Sequence, residues 1–296
     1  MSPPPRKSSS GPARGPDRPG PGPRTTAGAR SHAGPSRPAF VRSEPPRDLG
    51  LGSGGATYLV PGERAVVELL RADPRRIRRL LVLVNRPPGD AEALAGSLGI
   101  TVTRVTPDEM GTVIGPDLAR GIVAAAKPPR EHDIEDLLAL RAADTARRRL
   151  LVALDGVQDP HNLGALIRSA EFFGALGMFW ARDRSASLSP TVVRSSAGAS
   201  ERLALGQVTN LARALAACKE AGFWILGTVA DGGTSLQALV KAGLPDALVV
   251  VLGSEEKGLR RLTRESCDFL ATIPGAGGVA SLNVSAAAAV TLSCVA

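Results

Sequence analysis

Cysteine is scarce in this sequence. Only three cysteines occur in 296 residues, at Cys218, Cys267 and Cys294, and no two of them form a C-x-x-C pair. This spacing excludes a disulfide scaffold and a cysteine zinc site, and it is typical of a protein from a reducing compartment. We therefore expect a cytoplasmic protein without a metal.

Long apolar segments are also missing. The chain begins Met-Ser-Pro-Pro-Pro-Arg-Lys with no apolar stretch behind it, so we expect no secretory signal. The apolar stretch that follows Ser285 is too short to span a bilayer. The sequence therefore predicts no membrane partner.

Aromatic residues number only nine, namely two Trp, one Tyr and six Phe. Proteins that capture single-stranded nucleic acid without sequence preference stack the bases on several aromatic side chains. The low aromatic content argues against stacking as the main mode of nucleic-acid binding.

Basic charge is abundant but unevenly placed. Residues 1–50 hold nine Lys/Arg against three Asp/Glu, a net charge of +6 out of +8 for the whole chain, together with 12 of the 24 prolines. Such a segment buries too little apolar surface to fold, so we expect a disordered tail. Two interpretations stay open: a basic arm that contacts RNA phosphates, or a solubilising tail whose composition reflects a GC-rich genome.

Residues 58–126 carry the pattern of a small α/β unit. Helical periodicity covers 61–71 and 91–98, and short apolar runs at 80–84, 100–105 and 121–126 predict strands. A polar helix over 133–141 leads into the next unit. The densest basic cluster of the ordered part follows the first helix and predicts either a solvated helix end or an RNA phosphate contact; it consists of Arg75, Arg76, Arg78 and Arg79.

The second half of the chain alternates apolar runs with helical patterns. The runs lie at 150–154, 176–180, 223–229, 247–252 and 269–273, and the helical patterns include 163–173, 211–221 and 284–292. Continuous apolar strands separated by helices predict a parallel sheet that is covered on both faces. No G-x-G-x-x-G follows the first run, which argues against an ordinary Rossmann nucleotide site.

Three segments of this half place polar residues directly after predicted strands, at the edge where open α/β sheets bind ligands. In 154–174, Asn162 is the expected N-cap of a helix that carries Arg168, whose charge needs a partner if buried. In 249–262, Gly253 and Gly258 flank Glu255 and indicate a tight turn. In 273–290, a glycine-rich loop leads to Asn283 and an alanine-rich helix, whose first N–H groups could bind a ligand.

Taken singly, each segment is also explained by ordinary caps and turns. In combination, the three segments closely resemble the SpoU/TrmH family of RNA ribose 2′-O-methyltransferases. The resemblance runs from about residue 150 to the end of the chain. It is strongest to the bacterial subgroup that methylates a guanosine of 23S rRNA, which is resembled by four stretches: 154–170 (LDGVQDPHNLGALIRSA), 183–188 (DRSASL), 208–215 (VTNLARAL) and 260–268 (RRLTRESCD). Residues 58–126 are similar to the L30e-like RNA-binding domain of that subgroup, although Arg64 and Ala119-Arg120 replace histidine-containing positions there.

The sequence predicts an α/β fold in four parts, of which the tail is expected from its composition and the other three are implied by the resemblance. These are a disordered basic tail (1–50), an L30e-like substrate-binding domain (56–130), a linker (131–148) and a methyltransferase domain (149–296). The last domain has a parallel sheet and a trefoil knot near its C-terminus. The resemblance further implies a homodimer, rRNA as the partner and S-adenosylmethionine as the methyl donor.

The resemblance also assigns residues. Those that shape the catalytic site are Asn162, Arg168, Glu255, Ser281 and Asn283. Those that bind the donor are Thr228, Gly253, Ile273, Pro274, Leu282 and Ser285. Because an arginine side chain stays protonated, we interpret Arg168 as a group that orients the ribose hydroxyl rather than as a base.

Two alternatives remain at this point. The same methyl transfer could act on tRNA or on another rRNA nucleotide, since the base cannot be deduced from the sequence. The chain could also be a non-catalytic RNA-binding factor for ribosome assembly. The intact set of Asn162, Arg168, Glu255 and Asn283 favours the enzyme, because a binding protein does not need all four.

Overall fold

The computed structural model describes residues 57–141 and 148–296, so expectations for the basic tail lie outside the described residues. The first part, here the small lobe, is β1 (Tyr58–Pro61), α1 (Glu63–Ala72), β2 (Ile77–Leu83), α2 (Asp90–Ser97), β3 (Val102–Val105), α3 (Pro107–Ile114) and β4 (Ile122–Ala126). Its sheet has the order β1-β4-β2-β3, and only β2 and β3 are parallel neighbours. A short helix, α4 (Ile134–Ala139), follows.

The second part, here the large lobe, contains the seven-stranded sheet. Its strands are β5 (Arg149–Asp155), β6 (Gly177–Ala181), β7 (Ala204–Val208), β8 (Trp224–Thr228), β9 (Thr234–Ser235), β10 (Ala247–Gly253) and β11 (Phe269–Thr272). Its helices are α5 (Pro160–Phe172), α6 (Pro190–Ser195), α7 (Leu211–Glu220), α8 (Leu236–Ala242), α9 (Arg261–Glu265) and α10 (Val284–Val295). The strand order is β7-β6-β5-β10-β8-β11-β9, and every pairing is parallel, as predicted.

The apolar runs fill both faces of this sheet. Alternate residues of β5 enter different cores: Leu150, Val152 and Leu154 pack on the α5 and α10 side, whereas Leu151 and Ala153 pack on the α7 side. Side chains of a strand alternate between the two faces of a sheet, so a strand buried on both sides has to be apolar throughout. The carboxyl ends of β5, β8, β10 and β11 therefore lie at one edge, where the polar segments emerge.

Several elements were not predicted, and some predicted bounds were wrong. The predicted helix 61–71 begins only at Glu63, because Pro61 completes β1. Helix α3 was not predicted from the sequence, although Thr106 caps it in a capping box with Glu109. Strand β7, whose first residue is only half-buried, was not predicted either.

A buried polar cluster joins the two lobes, and we call it the Glu201 cluster. The Glu201 carboxylate accepts hydrogen bonds from Arg76 Nη1 (2.8 Å) and Tyr58 Oη (3.1 Å). Its side chain is fully buried, and that of Arg76 is 12% exposed. The Arg76 guanidinium also lies over the Tyr58 ring, 5.5 Å from its centroid, and Arg76 Nε donates to the Lys127 carbonyl. The small lobe thus contributes the cation and the phenol, and the large lobe contributes the carboxylate.

The Glu201 cluster predicts an unusual titration. Burial and the adjacent Glu201 carboxylate raise the pKa of Tyr58 far above the ordinary value for tyrosine, while Arg76 opposes this shift. Tyr58 is the only tyrosine of the chain, so tyrosinate absorbance near 295 nm reports on it alone. We expect Tyr58 to stay protonated at pH 10–11 in the folded protein and to titrate with an ordinary midpoint of ~10 in denaturant.

The raised pKa of Tyr58 should also make the unfolding free energy depend on pH. Above pH ~10 the unfolded state loses the Tyr58 proton and the folded state keeps it, so the unfolding free energy falls as the pH rises. Below pH ~10 Tyr58 is neutral in both states and contributes no slope. A folded-state titration of Tyr58 near pH ~10 would contradict the burial of this cluster.

Candidate active site

Three polar side chains from distant segments meet at the carboxyl edge of the large sheet. Asn162 Nδ2 donates to Glu255 Oε1 (3.0 Å), and Asn283 Nδ2 donates both to Asn162 Oδ1 (3.1 Å) and to the same Glu255 oxygen. The Val284 N–H also points at Glu255 Oε1 (3.4 Å). We call these residues the Asn–Glu–Asn cluster. One carboxylate oxygen thereby connects the first turn of α5, the loop after β10 and the start of α10.

The start of α5 differs from the prediction. Asp159 is the N-cap, and its carboxylate accepts from the backbone N–H groups of His161 (3.1 Å) and Asn162 (3.3 Å). Pro160 takes the first helical position, where its missing N–H costs nothing. The expectation that Asn162 caps the helix was therefore wrong. Because Asp159 satisfies the helix end, the Asn162 side chain is left to bind Glu255.

The start of α10 also differs from the prediction. The sequence indicated first N–H groups that could bind a ligand. Instead, the Val284 N–H meets Glu255, and the Ser285 N–H donates to Asn283 Oδ1 (2.8 Å). A carboxylate at a helix N-terminus is electrostatically favourable. The first two N–H groups of the helix therefore order the Asn–Glu–Asn cluster.

A cavity of about 330 Å³ lies beside this cluster, between the ends of β8, β10 and β11, and we call it the first cavity. Its walls are partly apolar, from Leu259, Ile273 and Leu282, and partly polar. The volume falls in the range of pockets for small ligands. Of the residues expected to bind the donor, Thr228, Gly253, Ile273 and Leu282 line it, as does Ser281 from the catalytic set, whereas Pro274 and Ser285 do not.

Gly253 is required by the way the chain turns back at the end of β10. A Cβ atom on Gly253 would lie 2.3 Å from the Gly258 carbonyl carbon and 2.5 Å from the Leu259 nitrogen. Real Cβ contacts of that length do not occur, so any larger residue would displace the loop that follows β10. Gly258 itself has a φ of +60°, which glycine adopts at no steric cost. The two glycines thus hold Glu255 at the rim of the first cavity.

Arg168 lies apart from the Asn–Glu–Asn cluster within one chain. It is exposed and follows Asn162 by six residues, which is about 9 Å along the axis of α5. It lines a different cavity, of about 520 Å³, between the lobes, together with Arg64, Arg71 and Arg202. The structure therefore joins Asn162, Glu255 and Asn283 with Ser281 nearby, but it does not bring Arg168 to them.

The predicted RNA-binding arginines do not form one surface. Arg75 is exposed, whereas Arg76 turns inward and belongs to the Glu201 cluster. Arg78 and Arg79 are half-buried and have partners of their own. A structural role therefore suits Arg76 better than a phosphate contact. No local pattern marks Glu201 as its partner, because 125 residues separate the two.

Two of the cysteines are poorly suited to act as nucleophiles. Burial raises the pKa of Cys218 to about 12, and burial together with Asp268 raises the pKa of Cys267 to about 11, so these thiols stay protonated at neutral pH.

Within residues 57–141 and 148–296, no three His, Cys, Asp or Glu side chains are grouped to hold a metal ion. No helix of the described chain is long and apolar enough to cross a membrane.

Comparison with known families matches both lobes. The family model described as the SpoU rRNA Methylase family matches residues 149–293. A second model, RNA 2′-O ribose methyltransferase substrate binding, matches residues 59–132.

Curated relatives match over most of their length. The 23S rRNA (guanosine-2′-O-)-methyltransferase RlmB of Xylella fastidiosa is 42% identical over 239 residues, which cover 79% of this chain and 93% of that protein. The enzyme of the same name from Salmonella typhimurium is 38% identical over 240 residues, covering 79% and 96%. Among solved structures, the SpoU methyltransferase AviRb from Streptomyces viridochromogenes, in complex with the cofactor AdoMet, has 25% identity and a TM-score of 0.65, covering 81% of this chain and 89% of that chain.

Proposed function

The chain belongs to the SpoU rRNA methylase family of RNA methyltransferases, and we propose that it methylates the ribose 2′-hydroxyl of a guanosine in 23S rRNA, with S-adenosylmethionine as donor. The observation that carries the proposal is the Asn–Glu–Asn cluster beside the first cavity. Its residues come from the three sequence segments that resemble the family, and relatives with the 23S rRNA name match along nearly their whole length.

The first cavity suits S-adenosylmethionine in size and chemistry. Its volume of about 330 Å³ and its apolar side chains fit an adenosine moiety, and the backbone of the loop after β10 supplies polar groups. Residues that would hold the donor are Thr228, Gly253, Ile273 and Leu282. When bound, the donor supplies a sulfonium methyl group that is already activated for transfer.

The residues of this chain then have to position the acceptor. Glu255 fixes both asparagine amides, so the remaining polar atoms of the cluster are held rigidly where a ribose can reach them. Such fixed groups accelerate a reaction by orientation and by preorganised electrostatics. Ser281 lies at the wall of the first cavity and is placed to contact the ribose or the donor. As the 2′-oxygen takes the methyl group, the thioether of the donor would leave and the hydroxyl proton would pass to solvent. Arg168, as a protonated guanidinium, would stabilise the negative charge that develops on the attacking oxygen.

We propose a homodimer in which Arg168 of one protomer completes the site of the other. The support is the position of Arg168, which is exposed on α5 and separate from the first cavity of its own chain. One turn later Phe172 is 76% exposed. Helix α10 buries Val284, Ala288 and Leu292 against α5 but leaves Val290 38% exposed. Large exposed apolar side chains beside a charged catalytic candidate favour an interface between two copies.

We also propose the trefoil knot that the resemblance implies. Its support is the path of the chain near the C-terminus. After β11, which lies beyond β8 in the sheet, the chain passes the loop that carries Glu255 and returns to pack α10 against α5.

Methyl transfer tests the proposed function directly. Purified protein with radiolabelled S-adenosylmethionine should label an unmodified 23S rRNA transcript, and primer extension should map one ribose, on a guanosine. Transcripts of 16S rRNA and of tRNA serve as controls. Label on tRNA alone would favour the alternative substrate, and donor binding without transfer to any transcript would favour a non-catalytic factor.

A further inference from the structure

The loop 183–188 and the pair Arg260-Arg261 lie outside the Asn–Glu–Asn cluster, although both belong to stretches that resemble the family. The structure places the two segments side by side. The loop follows β6, the arginine pair follows β10, and both are hydrogen-bonded to residues at the end of β5 or just after it. The inference drawn from them rests on the proposed function and concerns how the RNA strand reaches the site.

Hydrogen bonds tie these loops together. The Ala186 N–H donates to the Val157 carbonyl (2.9 Å), and Gln158 Nε2 donates to the Arg184 carbonyl (3.4 Å). Both bonds join the loop after β5 to the loop after β6. The Arg260 N–H donates to Asp155 Oδ2 (2.7 Å), which attaches the segment after β10. The three loops therefore form one hydrogen-bonded surface.

Asp155 holds Arg260 in place. The Asp155 side chain is fully buried at the end of β5, and its Oδ1 lies 3.5 Å from Arg260 Nε. The next residue is Gly156, on which a Cβ atom would lie 3.2 Å from Arg260 Nη2. A buried carboxylate needs a cation nearby, yet the Arg260 side chain is still 44% exposed. Arg260 thus neutralises Asp155 and keeps guanidinium N–H groups open to solvent.

Arg184 adopts a backbone conformation that arginine seldom takes. Its φ is +60°, and it is exposed at the tip of the loop after β6. Within residues 57–141 and 148–296, no carboxylate forms an ion pair with its side chain. A strained non-glycine residue with an exposed charge points to a role for that side chain.

Arg184 and Arg260 lie on the border of two cavities. One, of about 570 Å³, reaches Asn162 and Glu255 of the Asn–Glu–Asn cluster. The other, of about 490 Å³, extends to Asn210 and Arg261. Both are lined by Asp155, Arg184 and Arg260. An RNA strand whose acceptor nucleoside occupies the cavity of about 570 Å³ would therefore place a neighbouring phosphate at this border.

We propose that Arg184 and Arg260 bind the RNA phosphate next to the acceptor nucleoside as the strand passes from one cavity to the other. Guanidinium groups match phosphate oxygens with two parallel hydrogen bonds, which fixes the position of the strand as well as attracting it. The arginine pair thereby positions the ribose before the methyl transfer.

Substitution of Arg184 tests the proposal. We expect Arg184→Gln to weaken binding of a 23S rRNA transcript about tenfold at low salt and to reduce the slope of log K against log salt by about 0.7–0.9, the value for one lost phosphate contact. Arg184→Gly should weaken RNA binding equally while it leaves the thermal midpoint unchanged or raises it, because glycine relieves the positive φ. Arg213→Gln, at an exposed arginine of α7 that lines neither cavity, is the matched control and should bind as wild type.

Arg260→Lys adds a second measurement, since it keeps the charge opposite Asp155 while removing the planar donor pair. It should keep the salt slope and lower the affinity. A wild-type slope in Arg184→Gln and Arg184→Gly would overturn the proposal, as would a loss of S-adenosylmethionine binding in either, which would indicate a structural role. Failure of the proposed function has a different signature, because the wild-type protein itself would then transfer no methyl group.

Discussion

Replacing Arg168 by alanine is expected to reduce methyl transfer to 23S rRNA by at least ~10²-fold, the typical cost of removing one group that stabilises developing negative charge. S-adenosylmethionine affinity should stay close to that of wild type, because Arg168 does not line the first cavity. Titration calorimetry for the donor and a transfer assay separate the two effects. Turnover at the wild-type rate would remove Arg168 from the site.

A mixing experiment then decides which chain supplies Arg168. Asn283→Ala disrupts the Asn–Glu–Asn cluster, so it should be inactive by itself. If each site combines Arg168 of one protomer with Asn283 of its partner, a heterodimer of the two variants has one intact site. Random assembly of equal amounts should then restore about a quarter of the wild-type activity. Activity no higher than that of the separate variants would place both residues in the same chain, and a fully active monomer in light scattering would exclude the dimer altogether.

The sequence predicted the parts of this site that depend on regular strands. Asn162, Glu255 and Asn283 each follow an apolar run, and the carboxyl ends of parallel strands necessarily lie at one edge. Their convergence could therefore be anticipated, although the hydrogen bonds among them could not. The Asp159 cap was missed despite a usable signal, since Asp before Pro is a common helix start.

Other features could not be predicted, because they depend on contacts between distant segments. Residues 199–201 form a short 3₁₀ turn with no periodicity, and nothing in it indicates that Glu201 lies buried against the small lobe. The separation of Arg168 from the Asn–Glu–Asn cluster likewise depends on the direction in which α5 presents Arg168 and on how the two lobes pack. Local patterns determine elements and caps, whereas the pairing of a buried charge depends on the complete fold.

Glu201→Ala is expected to cause the largest loss of stability. The change leaves the Arg76 guanidinium, 12% exposed, without its carboxylate, and removing one partner of a buried ion pair costs about 3–5 kcal/mol. For a chain of this size the thermal midpoint should fall by roughly 10 °C. The surface bridge from Arg202 to Glu171 offers a matched control, because its side chains are 53% and 30% exposed. Glu171→Ala should cost at most about 1 kcal/mol.

A double substitution tests whether the lost pairing is the cause. Arg76→Met with Glu201→Leu is made in a Tyr58→Phe background, so that neither charge remains and no hydroxyl is left without its acceptor. A well-packed apolar pair can be as stable as the buried ion pair that it replaces. We expect the thermal midpoint to return to within a few degrees of the wild-type value. If the double variant is as unstable as Glu201→Ala, the loss would reflect packing around residue 201 instead. If Glu201→Ala costs no more than Glu171→Ala, the cluster is not what holds the small lobe against the large lobe.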